Sequence, residues 1–88
     1  MKKYQVVISK AAGNELRRLP KNEIARIYSK MQSLADNPRP PGCKKLEGSK
    51  EGLWRIRVGN YRIIYSIDDS VCVVDIQYVG DRKDIYRK

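Results

Sequence analysis

The stretch LWRIRVGNYRIIY, residues 53–65, constrains the fold more than any other part of the chain. Apolar residues alternate on both sides of Gly59-Asn60, the pattern of two half-buried strands joined by a two-residue loop. A loop of that length sets the register, because a slip of one residue would turn every side chain to the other face. Val58 then faces Tyr61, Arg57 faces Arg62, Ile56 faces Ile63, Arg55 faces Ile64 and Trp54 faces Tyr65. Trp54, Ile56, Val58, Tyr61, Ile63 and Tyr65 share one face, expected to be the core. The opposite face presents Arg55, Arg57, Arg62 and Ile64.

Arg57 opposite Arg62 is a pairing that stability alone would avoid, since like charges directly across a sheet destabilise it by a few tenths to ~1 kcal/mol. Two explanations stand open. Either Asp75 or an early glutamate neutralises the arginines, or they await an anion, whose phosphate oxygens a planar guanidinium grips in pairs.

Upstream, YQVVI (4–8) is a β-branched run that reads as a strand. Ser9 is placed to cap a helix carrying Ala12, Leu16 and Leu19 at i, i+4 and i+7; Gly13 weakens it and Pro20 ends it. A second helix begins near Lys21, with Ile24, Ile27, Tyr28, Met31, Leu34 and Ala35 on one face, and stops at Asn37-Pro38. Two amphipathic helices separated by Pro20 form a hairpin whose apolar stripe must cover a sheet. Residues 39–52, RPPGCKKLEGSKEG, read as a loop with one apolar anchor, Leu46. Strands follow at 53–58, 61–67 and 71–78. The expected class is α+β, ordered β-α-α-β-β-β, with an N-terminal helical hairpin packed on a twisted, mostly antiparallel sheet. Residues 1–88 are expected to form a single domain.

No run approaches the ~18 apolar residues of a membrane span. The apolar part of the basic-then-apolar MKKYQVVISK is only a few residues, too short for a secretory h-region of roughly 7–15, and the stretch reads as the first strand. Cys43 and Cys72 form no CxxC motif, and two isolated cysteines without a leader read as reduced thiols of a cytoplasmic protein. The chain has no histidine, which excludes Cys/His zinc sites and histidine acid–base catalysis. Nineteen Lys and Arg stand against ten Asp and Glu, a net charge of +9 that points to a polyanionic partner. Beyond the last strand, Arg82, Lys83 and Tyr86 add to the cationic group. A tail strand beside 61–67 would bring Arg82 near Arg62. Tyr86 either anchors the tail or places a phenol beside the arginines, where a cation lowers its pKa or a base stacks on it.

NYRIIY followed by YVGDRKDIY, with KKLEG before the hairpin and a βαα start, resembles the RelE family of toxin–antitoxin ribonucleases along nearly the whole chain. The resemblance implies a RelE-like fold and an endoribonuclease that enters the ribosomal A site and cuts the mRNA there. It also implies a cognate antitoxin with an acidic C-terminal segment, and operator DNA as the target of the toxin–antitoxin complex. No cofactor, metal or membrane is implied. Carried over residue by residue, Arg62, Arg82 and Tyr86 are the expected catalytic residues. Arg55, Arg57, Lys83, Lys44 and Lys45 are the expected RNA phosphate contacts. Well-known members carry lysine where this chain has Arg55 and Arg57, and arginine is a poor general base. The sequence ends two residues after Tyr86, so the long C-terminal helix of some members is not expected. Alternative readings are a ParE-like inhibitor of DNA gyrase and a non-catalytic nucleic-acid-binding module.

Overall fold

The computed structural model describes residues 3–46, 48 and 52–81. Strand β1 (Gln5–Ile8) turns Val6 and Ile8 toward the core and leaves Val7 outside. Ser9 then caps α1 (Lys10–Arg17): its backbone is extended, and its Oγ accepts the Ala12 N–H at 3.1 Å. The same hydroxyl donates to the Gln77 carbonyl at 3.0 Å, tying the helix start to the last strand. Arg18 closes α1, and Pro20 opens α2 (Lys21–Ser33). Proline suits a helix start because the first helical N–H groups have no intrahelical acceptor.

On α2, Ile27 and Met31, with Leu34 just beyond, are fully buried. Tyr28, expected on this stripe, is 47% exposed. It lies roughly 100° around the helix from Ile27, past the margin of the sheet that α2 covers.

Among the described residues the sheet has five strands in the order β1-β5-β4-β3-β2, where β2 is Lys44–Lys45, β3 Trp54–Val58, β4 Tyr61–Asp68 and β5 Val73–Asp81. β1 runs parallel to β5 and all other neighbours are antiparallel. The α+β, mostly antiparallel architecture is therefore as expected. One strand is added: Lys44 and Lys45 lie within the segment read as a loop, and they pair with Arg55 and Trp54. Two lysines have no apolar alternation to betray a strand. They are extended because β3 offers an open edge, and the Leu46 N–H continues the pairing to the Leu53 carbonyl at 2.8 Å.

The hairpin register is residue for residue the expected one, from Val58 opposite Tyr61 to Trp54 opposite Tyr65. Gly59 takes φ +60° while Asn60 does not enter the positive-φ region. That combination belongs to a II′ loop, which calls for glycine first. Between β4 and β5 the register shifts at Ile64/Tyr65, so Ile64 pairs with Tyr78 and Tyr65 with Ile76. The extra residue, Gln77, changes the parity of β5. As a result Val74, Ile76 and Val79 all point into the core, with Ile56, Ile63 and Tyr65 beside them. The helices close that face through Ala12, Ile27, Met31 and Leu34.

Tyr65 is fully buried and donates its phenol O–H to the Pro38 carbonyl at 2.8 Å. Burial pushes its pKa well above the ordinary tyrosine value. Next to Pro38, Arg39 stacks over Trp54 at 5.3 Å and grips Asp69 with two hydrogen bonds of 2.8 and 3.3 Å. Tyr4 donates to the same carboxylate at 2.6 Å. These contacts pin the chain leaving α2 across the end of the sheet, and from there it turns into β2.

Candidate functional site

The face of the hairpin opposite to Ile56, Ile63 and Tyr65 carries the arginines. Val58 and Tyr61 flank the two-residue loop and form the hydrogen-bonded pair, so Arg57 and Arg62 form the next, non-hydrogen-bonded pair, whose side chains start closest together. The two are not equivalent. Arg57 is exposed, whereas Arg62 is 2% exposed, in the central strand between β3 and β5. Arg55 is 9% exposed. The face is therefore a partly covered recess, not the open platform that simple alternation suggests.

Asp75 does not neutralise the pair. It lies five residues along β5 from Gly80, the residue opposite Arg62, which is about 17 Å of strand. Its carboxylate instead accepts from Gln77 at 3.1 Å. The early glutamates are engaged elsewhere: Glu15 pairs with Arg18 and Glu23 with Arg26.

Lys44 stands opposite Arg55, so it projects to the arginine face. Lys45 stands opposite Trp54 and projects to the other side of the sheet from the arginines. The alternation of a strand separates these neighbours. A residue with no sequence signal joins the group: Lys30, from the last turn of α2, lines a cleft of about 330 Å³ with Lys44, Arg55 and Arg57. In the sequence Lys30 is only a polar residue at the margin of an apolar stripe. Its position beside β3 depends on how α2 crosses the sheet.

A larger cleft of about 670 Å³, mostly apolar, lies beside α1, lined by Leu46, Ile64, Tyr78 and Val79. The cation on its wall, Arg18, is paired with Glu15, so this cleft adds nothing to the cationic cluster.

β5 brings the chain to Gly80 opposite Arg62 and Asp81 opposite Tyr61. Arg82, Lys83 and Tyr86 lie outside the described residues. Among the described residues, no group of three His, Cys, Asp or Glu gathers as a metal site would require. No helix among them is long and apolar enough to cross a membrane. The described part of the site can bind and polarise an anion through Arg55, Arg57, Arg62, Lys30 and Lys44.

Comparison with known proteins agrees with this fold. A family model described as the ParE toxin of the type II toxin–antitoxin system matches residues 6–86, a span that includes Arg82, Lys83 and Tyr86. Toxin RelE of Mycobacterium tuberculosis is 38% identical over 85 residues, covering 96% of this chain and 87% of that protein. Among solved structures, the archaeal RelE–RelB complex of Pyrococcus horikoshii aligns with a TM-score of 0.81 at 32% identity, covering 98% of this chain and 99% of that one. The RelBE2 toxin–antitoxin complex of Mycobacterium tuberculosis aligns with the same TM-score, 0.81, at 30% identity, covering 91% of this chain and 99% of that one. With this arginine-bearing hairpin on this sheet, the chain belongs to the RelE/ParE family of toxins of type II toxin–antitoxin systems.

Proposed function

We propose that the protein is a ribosome-dependent mRNA endoribonuclease that halts translation. The observation that carries this reading is the Arg57–Arg62 pair, held in register on a face that also bears Arg55. A sheet face that gathers Arg55, Arg57 and Arg62 offers planar guanidinium groups of the kind that grip phosphate oxygens in pairs.

In the proposed reaction the 2′-oxygen attacks the adjacent phosphorus, the bond to the 5′-oxygen breaks, and a 2′,3′-cyclic phosphate is left. The 2′-OH proton goes to a base and a proton is delivered to the departing 5′-oxygen. Arg62 and Arg82 clamp the scissile phosphate and stabilise the charge that grows on its oxygens, while Arg55 and Arg57 position the RNA backbone. Tyr86 orients or deprotonates the 2′-OH or stacks on a base, and Lys83 is the candidate acid. Arginine keeps its proton at neutral pH, so Arg55 and Arg57 act by charge and not as bases.

The partners of this reading are the ribosome with its mRNA, and a cognate antitoxin whose acidic segment neutralises the arginine face. The structural relatives described above are toxin–antitoxin complexes, which supports the antitoxin. Operator DNA is bound through that complex. The site of action is the cytoplasm, and residues 1–88 act as one domain.

Primer extension on translated mRNA tests the assignment. Arg62→Ala is expected to slow cleavage by about 10²–10³, the usual loss for one donor to a developing oxyanion. Tyr86→Phe is expected to slow it as well, and full cleavage by both variants refutes the site. The name of the matching family model supports a second reading, inhibition of DNA gyrase. Induction that leaves mRNA intact and triggers a DNA-damage response would establish that reading in place of the first.

A further inference from the structure

Lys30, Lys44, Arg55 and Arg57 line one cleft, with Pro41 and Gly42 in its wall. The ion pairs among the described residues join Lys3 to Asp36, Arg18 to Glu15, Arg26 to Glu23 and Arg39 to Asp69. None of the four cations of the cleft takes part. Arg55 matters most, because it is 9% exposed and still has no described carboxylate. Withdrawing a charge from water without a partner costs free energy. Four cations around one opening raise that cost further.

The backbone adds a donor. In the hairpin register Arg55 and Arg57 turn their N–H groups away from β4, toward the edge where β2 lies. β2 reaches only to Lys44, opposite Arg55. Gly42, which would stand opposite Arg57, takes φ +95° and carries the chain away from the edge. By register, the Arg57 N–H faces the edge of β3 beyond the last paired residue of β2.

We propose that this cleft is a second phosphate subsite, which holds a backbone phosphate of the RNA strand adjacent to the phosphate at the Arg62 end. That the anion is RNA rests on the ribonuclease reading. Arg55 and Arg57 lie two residues apart on one face, about 7 Å along the strand, comparable with the step between successive phosphates of an extended RNA strand. Lys30, at the C-terminal turn of α2, and Lys44, on β2, are the positioning residues of this subsite. They fix which nucleotide is presented to Arg62.

The test is binding of a short 2′-O-methyl oligoribonucleotide, which lacks the attacking hydroxyl, to the full-length protein across a salt series. Each phosphate contact to single-stranded nucleic acid contributes about 0.7 to the slope of log K against log salt. Lys30→Gln and Lys44→Gln are each expected to flatten the slope, by as much as about 0.7, and Lys30→Arg to restore it. Thermal melts of the same variants report that they fold. Unchanged slopes in both glutamine variants overturn the subsite, as does failure of the oligonucleotide to bind at low salt. A weakened grip on an acidic antitoxin peptide with the RNA slope unchanged would assign the cleft to protein, and also overturns it. The ribonuclease reading fails by a different observation, uncut mRNA on translating ribosomes with the binding slopes intact.

Discussion

Arg57→Gln is expected to stabilise the isolated protein and, on the proposed ribonuclease reading, to weaken its grip on RNA. The substitution keeps most of the stem that lies along the sheet and removes only the charge facing Arg62. For guanidinium heads ~7 Å apart, Coulomb's law gives ~0.6 kcal/mol of repulsion in water and ~2.4 at an effective dielectric of 20. Arg57 is exposed and Arg62 is not, so the value lies toward the aqueous limit. It also agrees with the ~0.2–1 kcal/mol typical of cross-strand pairs. A gain of ~0.6 kcal/mol in a chain of this size raises Tm by roughly 2–5 °C. The assay is thermal unfolding of wild type and variant at low salt and again near 1 M salt, where the screening length falls to about 3 Å. The variant's advantage is expected at low salt and should shrink at high salt. A variant less stable than wild type at low salt, or an advantage indifferent to salt, would falsify the idea that the pair is held together at a cost.

Tyr65→Phe removes a buried donor and strands the Pro38 carbonyl, so urea unfolding should show a loss of about 1–2 kcal/mol. Asp69 is held below the ordinary carboxylate range by its hydrogen bonds from Arg39 and then Tyr4. Its folded value therefore lies below its unfolded one. The stability it contributes is complete above the unfolded value of about 4, and is lost as pH falls through the depressed folded value. Thermal melts along an acid series should show this loss in wild type and a smaller one in Asp69→Asn; equal losses would remove Asp69 from the account.

The core and the cationic cluster share the thirteen residues of the hairpin. One side of LWRIRVGNYRIIY supplies Ile56, Ile63 and Tyr65 to the core, and the other collects cations. The two sets interleave at a period of two, so each can change without disturbing the other's orientation. Parity, however, does not set burial. Arg55 and Arg62 share a face with Arg57, yet they are withdrawn from solvent where Arg57 is not.

Local rules sufficed wherever a residue's place depends on its near neighbours. The register from Val58–Tyr61 to Trp54–Tyr65 follows from a two-residue loop, the Ser9 cap from a hydroxyl before a helix, and the break at Pro20 from a missing N–H. Tertiary structure decided the remainder. The pairing of β1 with β5 joins residues nearly seventy positions apart, and no local pattern announces it. Lys44 and Lys45 became a strand because β3 had an edge to fill, and strand alternation then sent only Lys44 to the arginines. The bulge at Gln77 placed Val79 inside and Tyr78 outside. Lys30 lines the same cleft as Arg55 because α2 packs against β3. Short-range sterics and hydrogen bonding determine which way a side chain points along its own element. Which charges become neighbours is decided by how elements pack, and packing depends on the shape of the whole core.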